Sequence, residues 1–199
     1  MPEIKRIGAA FGIATPVIAF TFIFTSISLS PWFSWYSNAL SDLGNYARSG
    51  VAPIFNLGLI ISGILTVVFG LGILEYLKNR KLGKAGVFIL MIAGAALTCI
   101  GIFSEDFGEI HFYASVAFFS LFPISLLIIG AALILEGSRG FGIFSIIIAI
   151  LAGIPWPLYF TFTWGGVAIP EITSVAFDSV WSITAGIKML SGRFLNREI

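Results

Sequence analysis

Charge is scarce in this sequence: 11% of its 199 residues are Asp, Glu, Lys or Arg, against roughly 25% in an ordinary soluble domain. So small a polar stock cannot cover a water-soluble globule, and a formal net charge of +1 gives no basic field for nucleic acid. Cysteine occurs once, as Cys99 inside an apolar run, which excludes an internal disulfide. Histidine also occurs once, as His111, and one histidine cannot supply the multi-histidine set of many zinc sites. Glycine-rich nucleotide fingerprints, a phosphate loop, His-Glu-x-x-His and Gly-x-Ser-x-Gly are missing, which argues against an ATP-driven pump and the commoner hydrolases. Sustained polar-apolar alternation, the pattern of a membrane barrel, is missing as well.

What is there is apolar and arranged in blocks. Hydrophobic residues make up 58% of the chain, and each block reaches the roughly 20 residues that a helix needs to cross about 30 Å of hydrocarbon. Backbone groups in lipid must be satisfied within their own segment, so the blocks are helices. The expected fold is all-α: a polytopic membrane protein whose single domain, 1–199, is a six-transmembrane-helix bundle with helices at about 7–29, 51–77, 85–103, 110–135, 141–164 and 172–190. The first block exceeds a signal-peptide h-region and precedes further spans, so it is read as a permanent helix. Pro16 and Pro123 mark kinks, and Pro155 with Pro157 predicts an interrupted turn in the fifth helix, because each removes a backbone donor. Gly58, Ser62 and Gly70 in the second helix, with Gly86, Gly94 and Ala95 in the third, predict close helix approach.

The basic residues orient the chain. Lys5, Arg6, Lys78, Arg80, Lys81, Lys84, Arg139, Lys188, Arg193 and Arg197 fall near one set of helix ends, and Arg48 alone near the other. Basic loops stay cytoplasmic, so the expected topology is N-in/C-in and the expected location the cell membrane, crossed many times. Trp32, Trp35, Tyr36, Trp156 and Trp164 then lie near the outer interface, where aromatic rings belong. Glu75 and the basic cluster after the second helix meet lipid head groups, making membrane lipids the expected partners. No protein partner, cofactor or metal is assigned.

Polar residues converge on the outer side. Ser41, Asp42 and Asn45 lie in the first outer loop, Asn56 in the second helix, Glu105 and Asp106 before the fourth, His111 and Ser115 within the fourth, and Asp178 in the sixth. Asp178 is the strongest single signal, since a carboxylate inside a span is costly against lipid and must face the bundle, a partner or water. Its bland reading is a structural acid accepting bonds from Ser174 and Ser182 on the same helix face. His111 is the natural proton carrier near neutral pH, and Asp42, Glu105 or Asp178 could orient its ring; a buried structural role competes with that. Glu105-Asp106-x-x-Glu109-x-His111 has no specific ligand spacing for a metal. Ser41-Asp42-Leu43-Gly44-Asn45 reads equally as a helix cap and turn or, with Arg48 opposite Asp42, as a polar site. Asn56 serves either as helix glue or as a ligand contact. The resulting expectation places Asp42, His111 and Asp178 as catalytic residues of one cavity, with Ser41, Asn45, Asn56, Glu105, Asp106 and Ser115 contacting a ligand.

Ser41-Asp42-Leu43-Gly44, the Asn56-Leu-Gly-Leu-Ile-x-x-Gly63 opening of the second helix, and Gly101-Ile-Phe-x-Glu105 followed by Ile110-His111-x-x-x-Ser115 resemble the domain of unknown function 998 family of small six-helix prokaryotic membrane proteins. That family is distantly similar to a six-helix group containing a stress-linked lysosomal membrane protein and a factor that remodels lipid anchors, with His111 matching a histidine at the outer start of a helix. The resemblance implies a prior for lipid handling. The expected function is thus an integral membrane protein with an outward-facing polar site that binds or acts on a lipid or other amphiphile. A small-solute or ion transporter would need a polar path inward, and the inner helix halves offer only threonine, serine and glycine. A structural or accessory protein without catalysis is the third reading.

Overall fold

The computed structural model describes residues 2–77, 80–162 and 165–195; Lys78, Trp164 and Arg197, which entered the topology argument, lie outside them. Among the described residues seven helices form: α1 (Glu3–Ser28), α2 (Ala52–Leu77), α3 (Lys81–Ile102), α4 (Glu109–Leu135), α5 (Arg139–Gly153), α6 (Pro155–Phe162) and α7 (Ala168–Leu190). Short 3-10 turns at Leu40–Gly44 and Glu105–Phe107 sit in the connections, and no strand occurs among the described residues. The fold is all-α.

Five helical stretches are long and apolar enough to cross a membrane: Glu3–Ser28, Ala52–Leu77, Lys81–Ile102, Glu109–Leu135 and Arg139–Phe162. The last contains the break that the prolines predict, since α5 ends at Gly153 and α6 starts at Pro155. α7 is the more polar remainder; it buries Glu171, Ser174, Asp178, Ser179 and Ser182 inside the bundle. α1 and α3 begin about a turn earlier than the apolar pattern suggests, taking in Lys5 and Arg6 and then Lys81 and Lys84. Long basic side chains extend toward water while their backbone stays helical, so charge does not end a helix where hydropathy does.

Each long helix packs antiparallel on the next. A Cβ placed on Gly8 would lie 2.6 Å from the Gly72 Cα, and one on Gly63 would lie 2.5 Å from the Gly94 carbonyl oxygen, so bare backbone meets bare backbone at α1/α2 and α2/α3. Gly130 and Gly142 repeat this at α4/α5. α7 closes the array by packing on α1, at Gly186 and Ala9, and on α5. The connections 29–51 and 103–108 and residues 165–167 therefore gather at one end of the bundle, and the start of α1 and the end of α7 lie at the other. At the terminal end, fully buried Phe194 packs on Tyr76 and Phe141 with ring centroids 4.8 and 5.5 Å away. The outward surfaces carry exposed Val17, Phe24, Ile64, Phe88, Ile92, Phe112 and Ile147, as lipid-facing surfaces do.

Candidate functional site: the closed loop end

The connection 29–51 is not a free loop. It folds across the bundle end because its short polar residues and the helix ends beneath it satisfy each other's backbone groups. Asp42, in the first turn of the segment Leu40–Gly44, accepts the Ala39 N–H at 3.0 Å and the Asn38 side-chain amide at 2.7 Å. Glu171, on the first turn of α7, accepts the Leu40 N–H at 2.7 Å, and the Ala168 N–H donates to the Asn38 carbonyl at 3.0 Å. Asn56 of α2 donates to the Gly44 carbonyl at 2.8 Å. A side chain at Gly44 would collide with Asn56 and the Phe55 ring, which is why the turn needs glycine there.

Residues 104–106 supply the second clamp. Asn45 donates to Glu105 at 2.9 Å while its own amide oxygen accepts the Ala47 N–H at 3.0 Å. Asp106 accepts the Tyr46 and Ala47 N–H groups at 2.8 and 3.2 Å and the Ser104 hydroxyl at 2.8 Å. Those backbone donors, Tyr46 foremost, hold its carboxyl below the usual aspartate range.

Asp42, Glu105 and Glu171 thereby come within electrostatic reach of one another. Burial pushes the Glu105 carboxyl above its ordinary value; the Asn45 bond pulls it back and the nearby Asp42 charge raises it further. Arg48 Nη1 lies 3.9 Å from Asp42 Oδ1, but the guanidinium side chain is 70% exposed, too wet to offset the acids strongly. The outcome is an acceptor-rich floor with a deficit of positive charge. No group of three or more His, Cys, Asp or Glu among the described residues is placed to hold a metal ion.

The remaining expected site residues have contacts of their own. His111 is buried and its Nδ1 lies 2.8 Å from the Phe103 carbonyl, tying the end of α3 to the start of α4. Ser41 and Ser115 are half-buried. Asp178 is buried in α7 with Oδ1 unpartnered, while Ser174, one turn outward, gives its hydroxyl to the Ala152 carbonyl at 2.7 Å. Among the described residues, no hydrogen bond or ion pair joins any two of Asp42, His111 and Asp178. Glu171 is the participant missing from the site set read from the sequence. Its position in the first turn of α7 is the available signal; its partner Leu40 is 131 residues away.

Several apolar spans with loops gathered and closed at one end define a multi-pass α-helical membrane protein. A family model described as "Protein of unknown function (DUF998)" matches residues 13–188. The chain belongs to that family, as the motifs in the outer loop and at the starts of α2 and α4 suggest. No curated protein and no solved structure matches it.

Proposed function

We propose that this protein is a six-span, N-in/C-in protein of the cell membrane whose closed outer end binds the head group of an amphiphile. In this reading α7 supplies the sixth span, its polar face turned inward, and the basic residues at the terminal end support the orientation. The observation carrying the reading is the grouping of Asp42, Glu105 and Glu171 where the loop docks, with Arg48 as the counter-charge among the described residues. Such a floor favours a head group presenting ammonium or hydroxyl donors and disfavours phosphate. Apolar chains would lie along the exposed aliphatic and aromatic surfaces of the adjoining helices.

Native mass spectrometry of the protein released from nanodiscs tests this. A retained amphiphile lost in Glu105→Gln combined with Asp42→Asn supports the reading; retention equal in wild type and variant refutes it. A purely structural role is favoured by a separate observation, namely that Asn45, Asn56, Asp106 and His111 all spend hydrogen bonds on backbone or clamp partners. That role predicts no retained amphiphile in either protein.

A further inference from the structure

The deepest unpaired polar atoms lie in the bundle interior, away from the outer cluster. Asp178 on α7 is 4% exposed with Oδ1 unpartnered, and Ser62 on α2 is 0% exposed with Oγ unpartnered. α2 and α7 meet across the core, where the rings of Phe69 and Trp181 lie 5.8 Å apart and Tyr76 donates to the Met189 carbonyl at 3.2 Å. At about 1.5 Å rise per residue, Asp178 and Thr66 each lie about 4.5 Å outward of that ring contact, and Ser62 one turn beyond Thr66. Thr66 is buried and spends its proton on the Ser62 carbonyl at 2.8 Å, leaving hydroxyl lone pairs to offer.

α1 brings a fourth oxygen at the level of the ring contact. Gly12 faces the Phe69 ring, and buried Pro16 stands one turn outward. Proline has no N–H, so the Gly12 carbonyl, which points toward the outer end, lacks its helical donor. Three helices thus carry a carboxylate, two hydroxyls and a carbonyl within a few turns of one another along the apolar interior, and among the described residues no charged side chain acts on Asp178. Broken or proline-interrupted helices that free a carbonyl beside a buried acid suit a dehydrated cation.

We propose that Asp178, Ser62, Thr66 and the Gly12 carbonyl form an intramembrane site for a small monovalent cation of the sodium type. A single carboxylate balances one positive charge, whereas a divalent ion would remain under-compensated among neutral oxygens. The site is separate from the amphiphile reading, and either stands without the other.

Melting of the full-length protein in nanodiscs, titrated with sodium chloride against choline chloride at constant ionic strength, tests it. Wild type is expected to show a saturable sodium-dependent rise in melting temperature. Asp178→Asn should abolish the rise, and Ser62→Ala should shift its half-saturation several-fold toward higher sodium. If Asp178→Asn fails to fold, the wild-type titration and Ser62→Ala still decide. A flat wild-type response overturns the proposal, as does an undiminished response in Asp178→Asn. So does a melting temperature that follows pH identically in sodium and choline, which would assign Asp178 to a proton.

Discussion

Asn56→Ala should release the outer loop while leaving the helices intact. Asn56 is 3% exposed and donates to the Gly44 carbonyl at 2.8 Å. Removing it strands a buried backbone acceptor, which costs about 1–3 kcal/mol, and at about 1.4 kcal/mol per tenfold the open population rises on the order of 5- to 100-fold. Arg48 makes that opening readable, because its side chain is exposed but the following Ser49 is buried with its N–H on the Asn45 carbonyl at 2.8 Å. Trypsin should therefore spare the bond after Arg48 in wild-type nanodiscs. Cleavage of a transiently opened segment tracks its open population when reclosing is fast. The rate at Arg48 in Asn56→Ala, followed by fragment mass, should rise by the factor above with the global melting point little changed. An unchanged cleavage rate in the folded variant would refute the clamp, as would rapid cleavage of wild type.

The pH response of the clamp has two opposed parts. Asp106 is depressed by the Tyr46 and Ala47 N–H groups, so its contribution is present above the ordinary aspartate range and lost as pH falls through its lowered value; loop protection at Arg48 should therefore fail only in strong acid. Glu105 is raised, so its contribution is present at low pH and lost as pH rises through its folded value. Glu105→Gln should accordingly flatten the fall in melting temperature of wild type across that rise. Ser145→Ala should cost about 1–3 kcal/mol in detergent melts, because fully buried Trp181 donates its indole N–H to Ser145 at 2.8 Å; an unchanged melting point would count against that bond. A cysteine introduced at 106, in the Cys99→Ala background, should react with an impermeant thiol reagent from outside intact cells, and labelling from the cytoplasmic face alone would reverse the topology.

Membrane class, helix locations and the proline break were legible because each rests on local chemistry: apolar length, and donors missing at Pro155 and Pro157. The ends of α1 and α3 were less so, since hydropathy falls at Lys5 and Lys81 where hydrogen bonding does not. At the outer end the sequence singles out the right residue types without their pairings. Asn56 reads equally as glue or ligand contact, and only the fold brings Gly44 against it. Glu171 carries only its place in the first turn of α7 as a local signal, because its value comes from the N–H of a residue in another segment. His111 is conspicuous as the single histidine, yet the carbonyl that engages it lies on the preceding helix end, a contact set by the turn rather than by composition.

The head-group reading is tested most directly by equilibrium binding of matched single-chain probes, a long-chain alkylamine and an alkyl phosphate of equal length, to the nanodisc-embedded protein. The carboxylate floor of Asp42, Glu105 and Glu171 predicts saturable binding of the amine, weakened in Glu105→Gln, and none of the phosphate. Equal partitioning of both probes, or tighter binding of the phosphate, would contradict it.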